Sequence, residues 1–183
     1  MEQKRNKSPR ETMLITDVIG KMIDYFQNDV RRINHALKVY GFALILSRDI
    51  NASEETKQVI FLTALLHDIG IKEAERKYQS AGGRYQEIEG PSIARTILSQ
   101  CPVSLDIIDR VCFIIGNHHS YSMVDGIDFQ IVIEADFLVN FFEDSMNHDA
   151  IRNISKKLFK TQTGKKILKT MYFSDEPGDL QQQ

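Results

Sequence analysis

The chain has 183 residues, a formal net charge of −2 and an ordinary apolar fraction. That length suits one domain with a substantial core, and the near-neutral charge excludes a general electrostatic footprint for nucleic acid. Two cysteines, Cys101 and Cys112, exclude a disulfide framework. No apolar run approaches the ~20 residues that a bilayer requires.

The two cysteines lack the CxxC spacing of a structural zinc site, so reduced thiols in a cytoplasmic protein are the simplest reading. Met1 to Arg10 is polar and basic, with no apolar stretch behind it, and does not read as a signal peptide. Ser8-Pro9-Arg10-Glu11 predicts a helix start: a capping serine, proline at the first helical position, and glutamate three residues after the cap. Behind it Leu14-Ile15, Val18-Ile19, Met22-Ile23 and Phe26 recur at helical spacing. A second helix is predicted from about Asn28 to Leu46. A third starts after the turn Asn51 to Glu55 and runs to His67-Asp68.

Gly70 and Gly82-Gly83 bracket a charged segment that reads as irregular. Glu89-Gly90-Pro91-Ser92 predicts the next helix start, with an end near Gln100. Pro102-Val103-Ser104 breaks the chain and caps a helix from Leu105 to about Ile115. Ser120 to Asp128 reads as a polar loop, and Phe129 to Glu143 as an apolar helix. Asn147-His148-Asp149 and Thr163-Gly164 predict two terminal helices, and 174–183 a frayed tail. Nothing alternates as a strand, repeats, or resembles an interdomain linker. The predicted architecture is a single all-α domain over 1–183, a helical bundle with a motif-bearing core at about 30–145.

The apolar run Val59 to Leu66 ends on His67-Asp68. Delivering an imidazole and a carboxylate into an interior costs several kcal/mol unless something satisfies them, and a divalent cation does so well. Four of the five histidines fall in three short stretches: Ile33-Asn34-His35-Ala36, Leu66-His67-Asp68-Ile69-Gly70 and Gly116-Asn117-His118-His119. A fourth stretch, Ile131 to Asn140, buries Asp136 in an apolar helix. The competing reading is a set of unrelated core histidines, each satisfied by a backbone carbonyl. His67 and Asp68 lie about 100° apart around a helix, so both can face one point only near a helix end. Gly70 predicts that end, as a left-handed cap.

The ordered set His, His-Asp, His-His, Asp resembles the HD-domain superfamily of metal-dependent phosphohydrolases, in the branch whose motif reads HDIG, here His67-Asp68-Ile69-Gly70. The resemblance covers roughly residues 30 to 145. It implies His35, His67, Asp68 and Asp136 as ligands of one divalent ion (Mn, Fe, Ni, Co, Zn or Mg), with positions left for water and a substrate oxygen. Such an ion polarises a phosphoryl oxygen and makes hydroxide available near neutral pH. Dinuclear relatives place a histidine four residues before a glycine. Here that glycine is Gly90 and Gln86 stands at the position, so a single ion is expected. One of the histidine pair, His118 by preference, is then expected near the substrate phosphate or behind the ligands, supporting them.

Lys72 is the expected phosphate contact, although Ile71 stands where the family commonly has lysine. Glu73, Arg84, Asn117, His119 and Asn140 are further candidates for substrate contact or ligand support. Arg76 and Lys77 read as solvated surface, Glu134 as a salt-bridge partner and His148 as exposed. The Gly-Tyr-Pro signature of cyclic-dinucleotide phosphodiesterases is missing, as is the Glu-Asp pair of guanosine-tetraphosphate hydrolases. The resemblance thus implies a phosphohydrolase, mono- or diesterase, for a small phosphorylated metabolite such as a nucleotide. It is compatible with a homodimer and implies no membrane partner. The alternative is a slow or non-catalytic sensor that keeps the metal and binds a nucleotide. An iron-dependent oxygenase is a third option, against which Gln86 speaks.

Overall fold

A computed structural model describes residues 9–174. Among the described residues the chain forms nine α-helices, a 3-10 turn at Tyr121–Met123 and no strand. The helices are α1 Pro9–Phe26, α2 Val30–Leu46, α3 Glu54–Leu66, α4 Ile71–Tyr78, α5 Gly83–Leu98, α6 Leu105–Ile115, α7 Ile127–Glu143, α8 His148–Leu158 and α9 Gln162–Tyr172. The expected cap at Ser8 with Glu11, and the expected tail beyond Ser174, lie outside the described residues.

Two helices form the centre. Every residue of α3 from Val59 to Leu66 is buried, and α7 is buried without a break from Ile131 to Val139. A helix that is apolar all round belongs in the middle of a bundle. Each large aliphatic side chain so buried contributes about 1.5–3 kcal/mol relative to exposure. That drive carries the polar residues at the end of α3 into the interior. Helices α1, α2 and α6 pack around α3, and α2 also lies along α7, with the start of α2 beside the end of α7. Side-chain caps at Asp29, Ser53, Asn147 and Thr161 fix the starts of α2, α3, α8 and α9.

Three expectations change. The charged segment after Gly70 is helical: α4 buries only Ala74 and ties its charges to neighbours, Glu73 to Arg76, and Lys77 and Tyr78 to Glu89. Second, α5 starts at Gly83, not at Glu89, and runs through Pro91. Proline removes one hydrogen bond there, but the buried face of Gln86, Glu89, Gly90, Ala94, Ile97 and Leu98 holds the helix together across it. Third, Gly70 is right-handed, with φ −75°. Glycine is needed there for space. A Cβ would meet the Gln86 carbonyl oxygen at 2.5 Å and the Gly90 nitrogen at 2.6 Å.

Glu134 also differs from expectation. Among the described residues it makes no salt bridge; its carboxylate accepts the backbone N–H of Lys160 at 2.6 Å and of Thr161 at 2.8 Å, plus the Thr161 hydroxyl. It therefore holds the N-terminus of α9 against α7, where a negative charge is favoured. His148 is exposed at the start of α8, as expected, with its ring against Phe173. Cys101 and Cys112 are free thiols. No helix among the described residues is long and apolar enough to cross a membrane.

Candidate metal centre

Helix α3 ends at Leu66 and α6 ends at Ile115, and each is followed by a histidine that folds back on its own helix. His67 Nδ1 lies 3.1 Å from the Ala64 carbonyl oxygen, and His118 Nδ1 lies 2.7 Å from that of Ile115. Helix ends leave such carbonyls without intrahelical partners, so each imidazole donates from Nδ1 to one of them. The donation fixes the tautomer and leaves the Nε2 lone pair facing inward. His35, on the first turns of α2, reaches the same state through Glu143, whose Oε2 lies 3.0 Å from His35 Nδ1. Backbone carbonyls do satisfy two of these histidines, as the competing reading required, but only at one nitrogen each.

The other nitrogens converge. His35 Nε2 is 3.2 Å from His67 Nε2, 3.2 Å from Asp136 Oδ1 and 3.6 Å from Asp68 Oδ2. His67 Nε2 is 3.5 Å from Asp136 Oδ1 and 3.6 Å from Asp68 Oδ2. Ligands bonded at about 2.1 Å to one ion lie roughly 3.0–3.5 Å apart in octahedral or tetrahedral arrangements. The two nitrogens lie close to that spacing from each other and from one oxygen of each aspartate, and such nitrogen and oxygen donors could hold a divalent cation. His67 keeps helical angles, φ −55° and ψ −41°, as α3 gives way to the turn at 67–70, and there His67 Nε2 and Asp68 Oδ2 face one point.

A second group shares Asp68. His118 Nε2 lies 3.3 Å from Asp68 Oδ1, and Asp68, His118 and His119 bring their ligand atoms within 4.8 Å of one another. His118 Nε2, His119 Nε2 and Gln86 Oε1 are buried without hydrogen-bond partners. Such atoms are expensive unless a cation or proton meets them. Gln86 is otherwise held by donation from Nε2 to the Ala81 carbonyl at 2.7 Å.

The electrostatics carry the same signature. Burial alone would lower His67, but the charge of Asp68 and the contact with Asp136 outweigh it and raise its pKa to about 9. Burial likewise opposes charge on His35, and Asp136 with Asp68 overcomes it. Burial would raise both carboxyls, yet His67, His118 and His35 hold Asp68 well below the carboxylate range, and His35 and His67 do the same for Asp136. The pocket stabilises positive charge. Burial, with His118 alongside, pushes His119 down to about 4.

Around this centre, Asn140 donates to Asp136 Oδ1 at 2.9 Å, and Lys38 pairs with Glu143. A cavity of about 340 Å³ opens over His35 and Asp68, and Asp29, Arg31, Arg32, Glu75, Asn140 and Glu143 also line it. Arg32 is held between Asp29 and Glu75, the latter at 2.6 Å.

Other expected residues are placed elsewhere. Lys72, expected at the phosphate, is exposed and donates to the Tyr25 carbonyl at 2.8 Å, with its ammonium over the Tyr25 ring. The helical turn after Gly70 directs it toward α1. Glu73 pairs with Arg76 on the surface. Arg84 is exposed at the start of α5 and does not line the cavity. Asn117 donates to the Phe113 carbonyl, capping the end of α6. His119 takes its backbone hydrogen bond from N–H to Glu87 Oε1 at 3.0 Å.

Sequence reading missed Glu143, Arg32 and Glu87. Glu143 carries a signal, lying two helical turns past Asp136 and one past Asn140, and Arg32 lies one turn before His35. Glu87 carries none that a sequence displays.

No curated protein matches the chain. A solved structure described as a predicted HD superfamily hydrolase from an uncultured Thermotogales bacterium shares its fold, with a TM-score of 0.61 at 21% identity, covering 85% of this chain and 83% of that one. The HD domain family model matches residues 32–162, well over half of the sequence, and the chain belongs to the HD-domain family.

Proposed function

We propose that the chain is a metal-dependent phosphohydrolase acting on a small phosphorylated metabolite, a nucleotide in the first instance. The observation that carries this reading is the convergence of His35 Nε2, His67 Nε2, Asp68 Oδ2 and Asp136 Oδ1 beneath an open cavity. A divalent ion bound there supplies Lewis-acid polarisation of a phosphoryl oxygen and lowers the pKa of water. The chain's own residues hold the donors in place: Glu143 and the Ala64 carbonyl fix the two imidazoles, and Asn140 fixes Asp136. His118 approaches Asp68 at Oδ1, while His35 approaches Oδ2, and His118 is the residue proposed nearest the reacting phosphate.

The orphaned Gln86 Oε1, His118 Nε2 and His119 Nε2 favour a second, weaker ion beside the first, sharing Asp68. An amide oxygen replaces an imidazole in that set, which suits hard cations such as Mn or Mg better than zinc. Elemental analysis, with titration of added metal, separates one tight ion from one tight and one weak.

Phosphate release from a generic ester and from nucleotides, screened over several divalent metals, tests the hydrolase reading. Stoichiometric metal and nucleotide binding without turnover under any metal would replace it with the sensor alternative. A protein that binds no divalent metal would remove both.

A further inference from the structure

The cavity over His35 and Asp68 has an unusual balance of charge for a site that receives phosphate. Four carboxylates line it, Asp29, Asp68, Glu75 and Glu143, against the two guanidiniums of Arg31 and Arg32. Arg32 is committed at both terminal nitrogens, to Asp29 through Nη1 and to Glu75 through Nη2. Arg31 is largely exposed and lies 4.0 Å from Asp144. Behind the lining, Lys38 is spent on Glu143, and Asp136 adds a further negative group. One divalent ion brings the whole set only to neutrality. The lysines and arginines of α4, Lys72, Arg76 and Lys77, are engaged with Tyr25, Glu73 and Glu89 and do not enter the cavity.

We infer that this site selects a singly phosphorylated ester whose leaving part carries no net negative charge, such as a nucleoside or sugar, and discriminates against substrates bearing a second phosphate. The inference rests on the hydrolase reading for its substrate class and on the lining charges for its selectivity. The first phosphate meets the metal centre. A second phosphate on the leaving part meets Asp29 and Glu75 at the rim, with Arg32 already neutralised between them, and like charges so placed repel. The same two carboxylates accept hydrogen bonds from the hydroxyls of a neutral leaving part.

The test uses the full chain loaded with manganese and two matched pairs of probes: adenosine 5′-monophosphate against adenosine 3′,5′-bisphosphate, and fructose 6-phosphate against fructose 1,6-bisphosphate. Affinity is read by calorimetry, and phosphate release is read separately. The singly phosphorylated member is expected to bind tighter by about tenfold or more in each pair that binds. Glu75→Gln is expected to narrow that ratio several-fold, and Asp29→Asn to narrow it likewise should the first variant fold poorly. A bisphosphate that binds as tightly as its partner, in either pair, overturns the inference, as does a failure of both pairs to bind. Preferential binding of the monophosphates without any turnover upholds the selectivity and removes the hydrolase reading instead.

Discussion

His35 Nε2 and His67 Nε2 face each other at 3.2 Å, while the Nδ1 of each is committed, to Glu143 and to the Ala64 carbonyl. Two neutral imidazoles so anchored present lone pair to lone pair. The pair needs a proton or a metal ion between its members, and this competition sets the pH behaviour of the centre. In the metal-free protein the folded-state pKa of His67 is raised from 6.5 to about 9. Its contribution to stability is therefore fully present below pH 6.5 and is lost as pH rises to about 9. Asp68 and Asp136 are lowered from 3.8, so their contribution is present above that value and lost as pH falls below it. Thermal melts in chelator should decline from pH 6.5 to 9, and saturating metal should remove that decline. A metal-free melting temperature that is flat or rising over this range would contradict the assignment.

Asp68 is the one residue common to both donor groups. Asp68→Ala should weaken metal binding by more than about a hundredfold and abolish the metal-induced rise in melting temperature. The circular dichroism spectrum should remain helical, because the packing of α3 does not depend on that carboxylate. Stoichiometric metal in the variant would remove Asp68 from the centre.

Glu143 orients His35 and is itself tied to Lys38. Glu143→Ala should cost about 10- to 100-fold in metal affinity although Glu143 is no ligand, and Glu143→Gln, which retains an acceptor, should cost less. Calorimetric titration with manganese reads both. Equal losses in the two variants would show that the negative charge of Glu143 matters rather than its hydrogen bond.

Lys72 donates to Tyr25 and stays outside the cavity. Lys72→Ala should therefore leave the Michaelis constant for phosphate esters within about twofold and lower stability by about 1 kcal/mol at most, the range for exposed contacts. A several-fold rise in the Michaelis constant would show that α4 turns this side chain inward when substrate binds.

Gly164 lies against the buried Glu134, where a Cβ would meet Oε2 at 1.9 Å. Gly164→Ala must displace either the carboxylate or the start of α9, breaking the hydrogen bonds to Lys160 and Thr161. A loss of about 2 kcal/mol or more, read by chemical denaturation, is expected with metal content unchanged. Wild-type stability in the variant would mean that α9 docks by other contacts.

The sequence by itself determined the all-α class, the helix carrying His67-Asp68 and the four stretches whose polar residues meet. Apolar periodicity is a local property, and a His-Asp pair at the end of a fully apolar helix is conspicuous because burial makes it costly. His35 and Asp136 stood out on apolar helices for the same reason, and a shared role as ligands with His67 and Asp68 was what the family resemblance implied. Tertiary structure alone decided the supporting and rim residues. Glu143 reaches His35 only because the end of α7 lies beside the start of α2. Arg32 gains its second carboxylate partner, beyond nearby Asp29, because α4 is a helix that brings Glu75 to it. Local rules read α4 as an irregular segment and began α5 at Glu89-Gly90-Pro91-Ser92, since charge density and proline both argue against helix. Packing overrode them, through Ala74 on one helix and the buried face of the other. Lys72 went to Tyr25 for the same reason: nearness in sequence to a ligand does not fix direction, and the turn of a helix does.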